Sequence, residues 1–269
     1  MKKTLGCIRK ADTDFHLIEA GDVIAVGVSG GKDSLLLLHA LSLYRKFTHK
    51  DFQLRAFTVS LGLEPFDTSG IGALCRELEI PYRVEKTQIG EIIFEYRQEK
   101  NPCALCAKMR RAVLLNLCRE EGCNKLALGH HREDVIESLL MSLFYEGRLN
   151  TFAPITYMDR ADVTIIRPLV FFPEKEAISA AKRMQLPVQK ANCPVAGLTK
   201  REDMKNLLKE FRKIVPDPES RIMKAISDTE QYGMWDRMKL PPDSLIGIPQ
   251  TFDYSRLETE RKRENGREE

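Results

Sequence analysis

The sequence predicts an α/β fold, a doubly wound, mostly parallel sheet followed by a helical C-terminal extension. Three observations carry this expectation. Residues 22–28 form a short β-branched run that enters a glycine-rich turn, and residues 35–44 then continue without a helix breaker. Strand, glycine-rich turn and helix in that order open a parallel α/β sheet. Short apolar runs and longer helical stretches keep alternating downstream, and beyond Cys193 the chain turns to segments rich in lysine and arginine.

The elements follow in order. Residues 52–60 read as a second strand, 68–78 as a helix and 82–85 as a third strand. A long helix is predicted over 106–121, a fourth strand over 125–129 and a helix over 132–145. Residues 163–166 read as a late strand before Arg167-Pro168, residues 175–184 as a helix, and Pro187-Val188 as the start of a short edge strand. Such a fold binds ligands at the carboxyl ends of its strands. Residues 200–214 and 218–235 read as two basic helices, prolines accumulate from about residue 240, and the nearly all-charged stretch 256–269 reads as disordered. The expected domains are 1–195 as the core, 196–240 as a helical extension and 241–269 as a charged, disordered tail.

Bulk properties narrow the classes. With 43% hydrophobic and 30% charged residues the chain reads as an ordinary soluble globular protein. A net charge of +3 neither requires nor excludes nucleic acid, so any basic surface must be local. No apolar run approaches the roughly 20 residues of a membrane span, and Met1-Lys2-Lys3 leads into polar sequence rather than a signal segment. The expectation is a cytoplasmic protein without membrane contact. Seven cysteines, an odd number, argue against a disulfide framework and leave apolar packing, metal ligation or reactive thiols.

Between the first strand and its helix stands Ser29-Gly30-Gly31-Lys32-Asp33-Ser34. Two glycines let the backbone approach an anion, the helix start offers unpaired N–H groups and the positive end of its dipole, Ser29 and Ser34 add hydroxyl donors, and Lys32 adds a point charge. The spacing differs from the Walker loop and from G-x-G-x-x-G. Val28 to Ser34 resembles the signature of the PP-loop ATP pyrophosphatases, whose fold is that of the adenine nucleotide alpha hydrolases. The resemblance implies that the loop holds the pyrophosphate of ATP while AMP is transferred to a substrate oxygen.

Two further segments resemble the same family. Leu128-Gly129-His130-His131-Arg132-Glu133-Asp134 resembles its second motif, with Glu133 where an aspartate is usual. A carboxylate pair near triphosphate suits Mg²⁺, and of the two acids Asp134 is the favoured ligand. Ile166-Arg167-Pro168-Leu169 resembles a third segment, in which the arginine lies near nucleotide or RNA. The resemblance thus implies a nucleotide site comprising Ser29, Gly30, Gly31, Lys32, Asp33, Ser34, Gly129, His130 and Arg167.

Cys103-Ala-Leu-Cys106 precedes Lys108, Arg110 and Arg111, and Cys193 stands before Pro194. Taken alone, one C-x-x-C is compatible with a redox pair, half a zinc site or cluster ligands. C-x-x-C before an Arg-Arg helix, Gly-His-His and a later cysteine together resemble the tRNA 2-thiolation enzymes of the TtcA/TtuA group. The resemblance covers about residues 21–193. It implies a 4Fe–4S cluster on Cys103, Cys106 and Cys193, with one iron left open. Cysteine pairs at both ends mark the TtuA branch and are absent here, so the chain resembles the TtcA-type 2-thiocytidine synthetases more closely. Where TtcA-type enzymes commonly carry a second C-x-x-C, Cys193 stands alone. Cys7, Cys75, Cys118 and Cys123 read as packing residues.

What the resemblance implies is an ATP-dependent tRNA sulfurtransferase that adenylates a pyrimidine C2 carbonyl and then inserts sulfur, with cytidine preferred. Lys32, Asp134, Cys103 and Cys106 are the implied catalytic residues, residues 1–195 the catalytic domain and residues 196–240 an RNA-binding extension. The implied partners are tRNA, a sulfur donor (sulfide or a cysteine desulfurase) and, as a candidate, a second copy of the chain. Two alternatives stay open. One is another PP-loop adenylating enzyme, of 2-thiouridine, lysidine or small-molecule ligase type. The other is a non-catalytic, nucleotide-binding iron–sulfur sensor.

Overall fold

A computed structural model describes residues 1–63, 66–97, 102–189, 193–195 and 199–228. The chain divides into two compact units, Met1–Met223 and Lys224–Glu269. The predicted tail and the last residues of the predicted 218–235 helix lie outside the described residues.

Among the described residues, the order of elements is α1 (Lys2–Phe15), β1 (Val23–Gly27), α2 (Lys32–Phe47), β2 (Gln53–Ser60), α3 (Ser69–Glu77) and β3 (Tyr82–Lys86). A short turn of helix, α4 (Ile89–Glu91), runs into a π-helical turn (Ile92–Tyr96) and is followed by α5 (Pro102–Glu120), β4 (Lys125–Ala127) and α6 (Arg132–Glu146). Then come β5 (Ile155–Met158), β6 (Val163–Ile166), α7 (Glu174–Arg183), α8 (Lys200–Ile214) and α9 (Pro218–Ser227).

The six described strands form one sheet in the order β3-β2-β1-β4-β6-β5. All neighbours are parallel except β5, which runs antiparallel to β6 with Ile155 opposite Ile166. β1 is central, and Val23 to Gly27 lie opposite Gln53 to Phe57 of β2. Strand periodicity sends Ala25, Phe57, Leu126 and Ile165 to one face, where they form a core with Leu115, Leu117, Cys118 and Cys123 along and after α5. The other face takes Ile24, Val26, Ala56 and Ala127, all fully buried. There α2, whose Leu35 to Leu38 are fully buried, runs against β1, α1 and α7. A helix apolar all round needs cover on every side, so α2 is an interior helix. With helices on both faces, the sheet is doubly wound as predicted.

Three elements differ from the sequence expectation. The N-terminal stretch, read as merely polar, is the helix α1, whose Ile8 and Ala11 are buried at helical spacing. Residues 155–158 add an antiparallel edge strand that half-exposed Thr156 and exposed Tyr157 concealed. Pro187-Val188 does not start a strand. Pro187 has no amide to offer a ladder, the Val188 amide is spent on the Leu186 carbonyl at 2.7 Å, and the Gln189 amide reaches the Gly30 carbonyl at 2.9 Å.

Candidate nucleotide site

β1 delivers the chain into the phosphate turn at the carboxyl edge of the sheet. Gly30 takes a positive φ of 78°, and a Cβ there would lie 2.9 Å from Phe66, so glycine is required on two counts. The turn braces itself. Ser34 Oγ donates to the Gly31 carbonyl at 2.9 Å and accepts the Ser29 amide at 3.1 Å, and the two serine hydroxyls stand 3.2 Å apart. Gly31 is the N-cap of α2 and no side chain caps that end. The first-turn amides therefore remain available to an anion.

The second motif presses on this turn. A Cβ on Gly129 would come within 3.0 Å of the backbone of Asp33 and Ser34. His131 N-caps α6 in a capping box with Asp134: the His131 amide donates to Asp134 Oδ2 at 2.9 Å, and the Asp134 amide reaches His131 Nδ1 at 3.4 Å. When Nδ1 carries a proton it faces Glu133 at 3.5 Å instead.

An ion-pair network surrounds Lys32. Its Nζ lies 2.9 Å from Asp33 Oδ2 and 3.0 Å from Glu174 Oε1 at the start of α7. Burial would lower the lysine's proton affinity, but Asp33 and Glu174 outweigh it and the pKa is raised. Glu133 is buried and holds the Glu174 amide at 2.7 Å and Arg132 at 2.8 Å. Burial alone would raise its carboxyl, yet the hydrogen bonds from His131, Arg132 and Glu174 hold it down at about 2. Asp134 Oδ1 meets Arg201 of α8 at 2.8 Å. Asp33 Oδ1 is buried without a hydrogen-bond partner, a carboxylate oxygen left open beside the phosphate turn.

A cavity of roughly 430 Å³ opens over these strand ends. Ser29, Gly31, Asp33 and Ser34 form its phosphate end, and Gly129, His130, Phe152 and Arg167 line another wall. His130 packs on Phe152 with ring centroids 4.9 Å apart, and the Arg167 guanidinium lies 5.0 Å over the same ring. Burial pushes His130 down to about 4, so its imidazole is neutral at pH 7, and its Nδ1 has no partner. Burial, together with the charge of Arg111, lowers Arg167 to about 10, while its Nη1 donates to the Ala153 carbonyl at 2.6 Å. Arg110 and Arg111 of α5 complete the lining.

Cys106 stands about one turn and Cys103 about two turns before those arginines on α5, Cys103 exposed and Cys106 partly buried. Burial pushes the Cys106 thiol up, Arg110 pulls it down, and Cys193 and Cys103 push it up again. Among the described residues no three or more His, Cys, Asp or Glu side chains are grouped so that they could hold a metal ion, so the three cysteines named from sequence are not brought together as a ligand set. Cys75, Cys118 and Cys123 are buried, with thiols raised by burial to about 11, 12 and 11, as inert packing residues are.

Most of the residues singled out from sequence meet at this edge. Gly30, Lys32, Asp134, Cys103, Cys106 and Cys193 are not among the residues that line the cavity, and Asp134 instead ties α6 to α8. Phe152, Glu174, Glu137, Arg201 and Lys205 carried no motif, and only the folded chain brings them to the site.

Residues 8–191 match the family model of the PP-loop domain. The chain belongs to the PP-loop family. Within that family, a tRNA-cytidine(32) 2-sulfurtransferase of Geobacter metallireducens is 39% identical over 239 residues, covering 88% of this chain and 93% of the relative. One of Pelobacter propionicus is 40% identical over 233 residues, 86% and 87% of the two chains. Among solved structures, the U34-tRNA thiolase NcsA of Methanococcus maripaludis, determined with its 4Fe–4S cluster, superposes with a TM-score of 0.67 at 28% identity, over 83% of this chain and 76% of that one. This PP-loop protein is thus similar to tRNA-thiolating proteins over most of its length.

Proposed function

We propose that this PP-loop protein is an ATP-dependent tRNA sulfurtransferase that converts a cytidine to 2-thiocytidine. The observation that carries the reading is the junction of two parts in one cavity. The phosphate turn opens into the space lined by Arg110 and Arg111, about one turn after Cys106 and two after Cys103 on the same helix. The cytidine preference rests on the 39% identity to cytidine(32) sulfurtransferases, against 28% to the uridine thiolase.

In this reading the α2 amides, Ser29, Ser34 and Lys32 take the β- and γ-phosphates, and Asp33 would hold Mg²⁺, whereas both oxygens of Asp134, the ligand favoured from sequence, are engaged by the His131 amide and Arg201. The unpartnered Asp33 Oδ1 supports that assignment. The base leaves its stack or is presented by a loop. Its O2 attacks the α-phosphorus, the bond to the β-phosphate oxygen breaks, and pyrophosphate leaves. A sulfur nucleophile then adds at C2 and AMP departs with the former carbonyl oxygen. Neutral His130, Phe152 and Arg167 form an apolar, hydrogen-bonding wall against which an aromatic base can lie, and Arg110 and Arg111 face the negative charge that develops. Cys103, Cys106 and Cys193 would hold a 4Fe–4S cluster, which would supply the sulfur-handling chemistry. Soft thiolate donors suit that group by their chemistry.

Residues 196–240, together with the helix bearing Lys108, Arg110 and Arg111, serve as the RNA surface, since exposed basic side chains neutralise phosphates. Sulfide or a cysteine desulfurase supplies the sulfur, and the enzyme works in the cytoplasm, as a homodimer. No helix among the described residues is long and apolar enough to cross a membrane.

Mass spectrometry of tRNA nucleosides from cells with and without the gene tests the reading. Loss of 2-thiocytidine with 2-thiouridine unchanged is the expected result, and an unchanged profile overturns it. ATP- and tRNA-dependent pyrophosphate release separates this enzyme from a nucleotide-binding sensor.

A further inference from the structure

One oxygen in the network around the phosphate turn has two lysine partners. Glu174 Oε1 takes Lys32 Nζ at 3.0 Å and Lys205 Nζ of α8 at 3.6 Å, with His131 Nε2 also near it at 3.7 Å. Lys205 stands one turn after Arg201, and both point from α8 toward α6. Arg201 meets Asp134 at 2.8 Å and Glu137 at 3.4 Å, and Lys205 reaches Glu137 at 4.0 Å. Met204 and Leu208 are buried on the same helix, which packs against α6. The pairing is therefore held by packing and is not a chance meeting of two long side chains.

Lys32 has to face phosphate for the turn to work, yet here its ammonium is engaged by Asp33 and Glu174. If Lys32 turned away from a carboxylate without another cation, it would leave a partly buried charge uncompensated, which is costly. Glu174 is only 24% exposed, so water replaces the lost partner poorly. Lys205 removes that obstacle. We propose that Lys205 is a positioning residue for the nucleotide step, which neutralises Glu174 when Lys32 leaves it and so frees Lys32 for the β- and γ-phosphates. The proposal rests on the reading of the turn as an ATP site. It assigns α8, the first helix of the basic extension, a role inside that site as well as any role at RNA.

The test is a substitution cycle read by calorimetric titration with ATP and Mg²⁺, each protein first shown to be folded by circular dichroism and melting. Lys205→Met should weaken ATP binding about tenfold, a loss typical of one charged hydrogen-bond partner. Lys205→Arg, which keeps the charge, should bind as wild type. Glu174→Gln should bind at least as well as wild type, and the Lys205→Met/Glu174→Gln protein should recover most of the lost affinity, because the carboxylate that retains Lys32 is gone. In pyrophosphate release the Lys205→Met defect should appear in KM for ATP more than in kcat. A strut that merely holds α8 in place would show no recovery in the double variant. Equal affinity of wild type and Lys205→Met, or an uncorrected loss in the double variant, overturns the proposal. A wild-type protein that binds no ATP overturns the nucleotide reading itself, and the proposal with it.

Discussion

Lys32 Nζ lies 3.0 Å from Glu174 Oε1, across 142 positions of sequence. The contact joins the phosphate turn after β1 to the start of α7, on the far side of the strand crossover. It makes the ammonium a fixed member of the site before any ligand arrives, at the cost of a competitor for that ammonium. Lys32→Ala should abolish ATP-dependent pyrophosphate release. The fold should survive, because the pair is part-exposed and such pairs contribute about 1 kcal/mol or less. Pyrophosphate release by a folded Lys32→Ala protein at the wild-type rate would remove the phosphate role of the turn.

Cysteine substitutions should divide into two sets. After anaerobic purification, serine at Cys103, Cys106 or Cys193 should remove most iron and acid-labile sulfide. Cys118 and Cys75 lie in the core, where burial keeps their thiols protonated, so Cys118→Ala and Cys75→Ala should retain both. One tightly held zinc and no labile sulfide in the wild type would sink the iron–sulfur assignment.

Gly129→Ala should be unusually damaging for the addition of one methyl group. The new Cβ would stand 3.0 Å from the Asp33 carbonyl carbon and the Ser34 nitrogen, which are backbone atoms and cannot rotate aside. A cost of about 1–3 kcal/mol is expected from such overpacking, with ATP affinity reduced because the phosphate turn is what must move. Urea titration and ATP binding together check this, and wild-type values in both would refute the close approach.

Glu133 links stability to acid. Its carboxyl is held at about 2, against a model-compound value of 4.5. A depressed carboxylate stabilises the fold fully above the unfolded value and loses that contribution as pH falls from 4.5 toward 2. Glu133→Gln should therefore cost about 3 kcal/mol at pH 7. The gap from wild type should narrow steadily below pH 4.5, as urea titrations across that range would record. A gap that stays constant from pH 7 to pH 3 would mean that the ionised carboxylate is not what matters.

The motifs were legible because their chemistry is local. A turn that must cradle an anion needs glycines, hydroxyls and a lysine within six consecutive positions, and a helix start that bears two thiols needs them one turn apart. Glu174, Lys205 and Phe152 left no such mark. Each is an ordinary residue on an ordinary element, and its role comes only from what the sheet places beside it. The same reason hid α1, whose buried side is defined by α2, and made Pro187-Val188 look like a strand until its amides were found bonded elsewhere.

By itself the sequence determined the parallel core, the phosphate turn, the Gly-His-His segment and the pairing of Cys103 with Cys106, because periodicity and short-range spacing are properties of consecutive residues. Only the tertiary structure decided that Asp134 is tied to Arg201, that His130 stays neutral on the ring of Phe152, and that Lys32 and Lys205 share one oxygen of Glu174. Those outcomes depend on burial and on charges meeting across 67 positions for Asp134 and Arg201 and 142 for Lys32 and Glu174, and both exist only once β1, β4, α7 and α8 have packed together.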